Sequence, residues 1–340
     1  MPDRRTDGHR RQRGVTVDPA AAGQKSGRAP REDELHLFQP PIRVKTEVHC
    51  RLPDRFRTRQ RTAWSDSNRL GQEVDSFLAG PSFDRAGNLY FVDIPFGRIF
   101  RLTQAGACDL VAHYDGWPNG LKIHRDGRIF IADYKCGLVV LDPASGRTEP
   151  LLASRNSEGF KGLNDLVFAA NGDCYFTDQG QTGMHDPTGR VYRLAASGRL
   201  DCLMDNIPSP NGIVLNNAEN RLFVAVTRQN AVWRAPLMPD GSVSKVGTFL
   251  QLSGGQAGPD GLAIDVEDGL YVCHLGIGVW RFDANGIPTH LIEACVGHHM
   301  TNLAFGGSDG RQLFITESDT GSILRCEAPV AGKPMFAHHG

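Results

Sequence analysis

Short apolar segments of four to six residues recur along this chain in pairs, with a polar turn before the first and a Gly- or Asp-containing turn between the two. Six copies are visible: AGPSFDRAGNLYFVDI from Ala79, NGLKIHRDGRIFIADY from Asn119, NDLVFAANGDCYFTDQ from Asn164, NGIVLNNAENRLFVAV from Asn211, DGLAIDVEDGLYVCHL from Asp260 and NLAFGGSDGRQLFITE from Asn302. Their starting residues are 40, 45, 47, 49 and 42 positions apart. The second segments (LYFVDI, RIFIADY, CYFTDQ, RLFVAV, LYVCHL, QLFITE) are rich in aromatic and β-branched residues, as strands are. A third follows in each copy, as in GRIFRL and GLVVLD, and a weaker fourth is visible in CDLVAHYD, TEPLLAS, LDCLMD, KVGTFLQL and THLIEA. No helical period is sustained after residue 79.

Four strands per unit and six units at this spacing predict an all-β fold, a six-bladed β-propeller with four-stranded antiparallel blades and core repeats over 79–327. The junctions agree. Asp126-Gly127, Asn171-Gly172, Asp268-Gly269 and Asp309-Gly310 reach the positive φ of tight hairpins at little cost. A ring of blades also needs closure, or it leaves open edges. The alternating segment Arg43–Leu52 is expected to supply an outer strand to the last blade, with a plain surface strand as the alternative.

Composition sets limits without changing this picture. Residues 1–70 hold 16 Lys/Arg against 9 Asp/Glu, which leaves 21 against 29 in the remainder. An acidic body argues against a nucleic-acid partner. No apolar run is long enough to span a membrane, so no membrane partner is expected. Residues 1–35 read as a disordered basic tail, neither a secretory signal nor a transit peptide, with residues 36–340 as the single propeller domain. Eight scattered cysteines without metal spacing suit a reducing, cytoplasmic setting, with Cys136, Cys174 and Cys273 packed as small hydrophobes.

In a propeller, equivalent positions of each blade converge on the axis. Five of the six copies carry an amide or carboxylate where the first strand begins: Asn119, Asn164, Asn211, Asp260 and Asn302. The first has Ala79. An Asn or Asp before Gly is ordinarily just a turn residue, and only the shared register suggests ligation. Asn164, Asn211 and Asp260 together form an oxygen-donor set suited to a divalent cation. Ca²⁺ is the expected ion, with Mg²⁺, Mn²⁺ and, least suited to such donors, Zn²⁺ as alternatives. Asn119, Asn164 and Asn302 are expected to line a substrate pocket. His274 is expected near its mouth as a proton shuttle or substrate contact, or else as a satisfied strand-end histidine. Asp93, Asp133 and Asp178 recur at one strand-end step and read as turn-forming or interblade hydrogen-bonding residues. His298-His299 reads as loop.

The phrases GPSFDRAGNLYFVDI, PNGIVL and GPDGLAIDVEDGLYV resemble the senescence-marker-protein/gluconolactonase/luciferin-regenerating-enzyme-like family over roughly 75–327. The resemblance implies a divalent cation in the central channel and a lactonase-type hydrolase acting on a small-molecule lactone or related ester. It implies that Asn211 and Asp260 are metal ligands, that Asp260 is also the catalytic proton donor and acceptor, and that Asn164 touches metal or substrate. The family's remaining ligand is a Glu in the phrase E-G-P, which here is Ala79-Gly80-Pro81. Either an otherwise intact enzyme has lost one ligand, or the propeller has a different activity or binds without catalysis, or Glu73 or Asp75 compensates. Family members acting on sugar lactones often carry an Arg two residues before Asn164, where this chain has Gly162. Neither the oligomeric state nor the particular lactone follows from the sequence.

Overall fold

The computed structural model describes residues 39–338. The proposed tail, residues 1–35, lies outside the described residues. Among the described residues, six four- or five-stranded sheets follow one another along the chain, with a small two-stranded ribbon, Ser154–Arg155 and Glu158–Gly159, between the second and the third. Blade one comprises Leu78–Phe83, Leu89–Asp93, Arg98–Leu102 and Cys108–His113, and blade two Pro118–Ile123, Ile129–Asp133, Gly137–Asp142 and Arg147–Leu152. Blade three comprises Leu163–Phe168, Cys174–Asp178, Gly189–Leu194 and Leu200–Ile207. Blade four comprises Pro210–Leu215, Arg221–Val226, Ala231–Pro236 and Gly247–Gln251. Blades five and six begin at Pro259–Ile264 and Met300–Gly306. The first strand of each blade is innermost and touches the first strands of both neighbours, from blade one round to blade six and back to blade one. This is the predicted six-bladed propeller.

The strands are apolar on both faces because each blade is covered on both sides. In blade two, Ile129 and Ile131 pack with Tyr90, Val92 and Ile99 of blade one. Phe130 and Ala132, one residue on, pack with Leu166, Phe168 and Phe176 of blade three. The same alternation recurs in blade four, where Leu222 and Val224 face blade three while Phe223 and Ala225 face blade five. Side chains at successive positions point to opposite faces, so an uninterrupted apolar run splits between two interfaces. All eight cysteines are free. Cys174 and Cys273 lie in these cores, whereas Cys136 is part-exposed.

Closure uses more of the chain than the alternation predicts. Glu47–Arg51 pairs antiparallel with Ser322–Glu327 and becomes the outer strand of blade six, as expected. Ile42–Lys45, immediately before it, adds a fifth strand to blade five, parallel to Pro288–Glu293. The segment thus straps two blades together. The other chain end runs beneath the ring. Lys333 donates its backbone N–H to Ile264 (2.9 Å), and Phe336 stacks on Phe168 (5.0 Å between ring centroids). No described helix is long and apolar enough to cross a membrane.

Candidate active site

Each first strand breaks its pairing at one step. The register shifts between Leu163 and Leu166, between Pro210 and Ile213, and between Pro259 and Leu262. These shifts bracket Asn164, Asn211 and Asp260. The Asn and Asp residues therefore sit at β-bulges that turn side chains toward the axis, and not at hairpin turns. Hydroxyls on neighbouring elements fix the bulges. Thr177 Oγ1 donates to Asn211 O (2.7 Å) and accepts from Asp165 N (3.0 Å), and Thr227 Oγ1 donates to Pro259 O (2.7 Å).

Asn119, Asn164, Asn211 and Asp260 line one cavity of about 190 Å³ at this end of the axis, with Ala79 on its wall. Asn302 does not line it. By pairing register, Met300 corresponds to Leu163 and Pro210, so Thr301 occupies the ring position and Asn302 stands one step deeper. That deeper ring holds Gly80, Gly120, Asp165, Gly212, Gly261 and Asn302. A Cβ on Gly120 would lie 2.5 Å from Asp165 Oδ1, and one on Gly261 2.5 Å from Asn302 Oδ1. Glycine is required where these two larger side chains fill the axis. Asn302 Nδ2 donates to Asp165 Oδ2 (3.3 Å) from the opposite blade, and Lys122 Nζ stands 3.8 Å from Asp165 Oδ1. Together they fill the axis one step below the ring that lines the cavity. The sequence pattern assigns Asn302 to the pocket because residue type alone does not show where a bulge inserts its extra residue.

His274 is also placed elsewhere. It ends the second strand of blade five, is 1% exposed, and turns Nε2 toward Gly254 O (3.2 Å), behind the cavity wall. Its neighbour Leu275 lines the cavity instead. Of the residues weighed as substitutes for the missing Glu, Asp75 is paired with Arg57 (2.9 Å) and Glu73 is exposed. Neither lines the cavity. Asp93, Asp133 and Asp178 act as turn clamps: Asp133 Oδ1 accepts from Lys135 N (2.8 Å) and Cys136 N (2.7 Å), and Asp93 Oδ1 accepts from Phe77 N (2.8 Å).

Several lining residues carry no sequence signal. A helix over Ala63–Asn68, held by a reciprocal cap between Thr62 and Ser65, brings Trp64, Asn68 and Arg69 over the mouth. Gln181 Nε2 ties it to blade three through Asn68 Oδ1 (3.3 Å). His299 lines the cavity with its Nδ1 hydrogen-bonded to Asp319 Oδ1, a pairing whose members lie 20 residues apart on either side of a hairpin. Gly162, at φ 133°, leaves no room for a side chain, since its Cβ would fall 2.2 Å from the ring of Tyr134. The tyrosine fills that space. Its hydroxyl is buried without a hydrogen-bond partner among the described residues.

The electrostatics centre on Asp260. Desolvation, reinforced by the like charge of Asp165, pushes its carboxyl up to about 8, and a hydrogen bond from Asn211 pulls the other way. Asn211 Oδ1 is buried and has no hydrogen-bond partner among the described residues. Asn164 spends its Nδ2 on Gln179 Oε1 (3.1 Å), which leaves its oxygen unspent. Two amide oxygens and one carboxylate fit a hard divalent cation held weakly, because only one donor can carry charge. No cluster of three or more His, Cys, Asp or Glu is positioned for an ion among the described residues.

Comparison with known proteins gives this geometry a context. The SMP-30/gluconolactonase/LRE-like region matches residues 79–319. The chain belongs to this family. It is 31% identical over 297 residues to lactonase drp35 of Staphylococcus aureus (strain MW2), covering 82% of this chain and 86% of that protein. The fold of this family member matches a gluconolactonase from Xanthomonas campestris (TM-score 0.67, 22% identity, 87% of this chain and 99% of that one). It also matches a calcium-binding protein, regucalcin, from Agrobacterium tumefaciens (TM-score 0.71, 20% identity, 88% and 100%).

Proposed function

We propose that this chain hydrolyses a small-molecule lactone or related ester in the cavity bounded by Asn164, Asn211 and Asp260. The observation that carries the reading is the convergence of these three side chains on one cavity, with a buried amide oxygen of Asn211 left unpaired among the described residues. The lactonase relative and the regucalcin neighbour favour the same chemistry and a divalent cation.

Asn164, Asn211 and Asp260 would hold the cation, most suitably Ca²⁺, which when bound supplies a Lewis acid for the ester carbonyl. The chain's own residues handle the protons. Without a cation Asp260 keeps its proton near neutral pH, so ligation releases it. Asp260 then serves as proton acceptor and donor at its carboxylate oxygens. His299, oriented by Asp319 through Nδ1, offers Nε2 as a second acceptor for a proton from water. Trp64 and the short helix cover the mouth and limit bulk water.

Ala79 favours a second reading, a propeller that binds a small molecule without hydrolysing it. One experiment separates the two. Ca²⁺ calorimetry and a lactone panel are run on the protein and on Ala79→Glu. Hydrolysis by the protein itself supports the enzyme, and gain of binding and hydrolysis only with Glu identifies a scaffold lacking one ligand. Neither binding nor hydrolysis in either form sinks the hydrolase reading. Asp260→Asn should abolish whatever activity is found, and retained activity removes Asp260 from the mechanism.

A further inference from the structure

The cavity offers more donors than its own residues satisfy. Arg69 follows the lid helix, packs its guanidinium over the ring of Phe77 (4.9 Å to the centroid) and is only part-exposed. No carboxylate lies within ion-pair distance of it among the described residues. The acid that acts on it electrostatically is Asp319, and both oxygens of Asp319 are engaged, Oδ1 by His299 Nδ1 and Oδ2 by His298 N (2.9 Å). Arg228, on the 3-10 turn Thr227–Gln229 after blade four's second strand, also lines the cavity and forms no ion pair among the described residues. Tyr134 adds its unpartnered hydroxyl from blade two. Against these donors the cavity sets one carboxylate, Asp260. A partly buried guanidinium without an acid is costly unless something anionic joins it.

We propose that the ligand of this cavity carries an anionic oxo group, carboxylate or phosphate, bound by Arg69 with Arg228 at the rim. Arg69 supplies a planar fork suited to two oxygens at once, and Arg228, exposed, draws the anion in. The substrate is then an acidic lactone or ester, distinct from a neutral sugar lactone. That last step rests on the hydrolase reading. The anion site itself does not.

The test compares γ-butyrolactone with the same ring bearing a carboxylate, 5-oxotetrahydrofuran-2-carboxylate, on the protein and on Arg69→Gln. The acidic lactone is expected to be preferred by about tenfold in kcat/KM, and Arg69→Gln should erase that preference by raising KM for the acidic lactone far more than for the neutral one. An acid-to-neutral ratio that Arg69→Gln leaves unaltered overturns the proposal. If neither lactone is hydrolysed, the lactone panel judges the hydrolase reading, and calorimetry decides the anion site. Binding of the intact acidic lactone that Arg69→Gln abolishes supports it, and no binding to the unaltered protein overturns it. Succinate and inorganic phosphate as competitors show which oxo group is preferred. Should Arg69→Gln not fold, raising salt on the unaltered protein replaces it. Binding of the acidic lactone should weaken several-fold while the neutral lactone is indifferent, and binding of the acidic lactone unmoved by salt overturns the proposal.

Discussion

A single carboxyl group links stability and function at the residue scale. In the unfolded chain an aspartate titrates near 4, whereas Asp260 in the cation-free protein titrates at about 8. Between these values the native state holds a proton that the unfolded state releases. The stabilisation from that proton is complete below about 4 and is lost as pH rises through about 8. Asp260→Asn, which cannot ionise, should therefore melt several degrees above the unaltered protein at pH 8.5, with the difference shrinking toward pH 5, even as hydrolysis disappears. Thermal scans at the two pH values check this, and equal offsets at both would contradict it. The same logic gives cation binding its pH dependence. Affinity for Ca²⁺ should rise with pH through about 8, with proton release visible as a dependence of calorimetric heat on buffer. Asp165 sets part of that midpoint by repulsion. Asp165→Asn, which keeps an acceptor for Leu166 N (2.8 Å), should move the midpoint of Ca²⁺ binding to lower pH. An unmoved midpoint would show that desolvation alone raises Asp260.

At the scale of elements, the strands that build the blades were legible because most strand positions on both faces are apolar and five of the six first hairpins carry a Gly or Asp, Asn216–Asn220 of blade four being the exception. Asn164, Asn211 and Asp260 were legible for a related reason: bulges recur with the repeat, and a repeat can be read. What stayed hidden is non-repetitive. The helix Ala63–Asn68 spans fewer than two turns and buries only Trp64 and Ser65, too little to impose a period. His299 needs Asp319, which only the hairpin brings near. Ile42–Lys45 joins blade five in parallel, and its four residues carry no mark of a partner nearly 250 positions away. The lid makes its own prediction. Thr62 Oγ1 accepts from Ser65 N (3.0 Å), and Thr62→Ala removes that cap at a cost of about 1 kcal/mol to the helix. Because the helix covers the cavity and reaches the core between blades one and two only through Trp64, KM should rise while the melting temperature falls only slightly. Hydrogen exchange over 63–68 should quicken in step, and unchanged exchange would mean that the helix is held by Trp64 packing alone.

At the scale of the whole molecule, the ring is a cycle of six interblade cores, and a cycle is only as cooperative as its weakest joint. Five joints are crossed by the chain as it passes from one blade to the next. The joint between blades six and one has no such continuous connection, and its core is completed by Leu52, with Cys50 packed against it, from the segment that precedes blade one. Glu47–Arg51 makes the outer strand of blade six just before the chain enters blade one, and Ile42–Lys45 secures the same segment to blade five. A chain beginning at Leu52 would leave two sheet edges unpaired and loosen that joint. Its melting temperature should fall by roughly 10 °C and its transition should broaden, because the remaining joints no longer share strain around a closed ring. Phe336→Ala provides the contrast. Its ring packs against Phe168 and His124 at the mouth opposite the cavity, so removing it should cost about 3 kcal/mol and leave KM untouched. Scanning calorimetry of the two variants separates the mechanisms: closure predicts lost cooperativity only in the truncated chain. A truncated protein that melts as sharply and as hot as the full one would show that the ring holds without its strap.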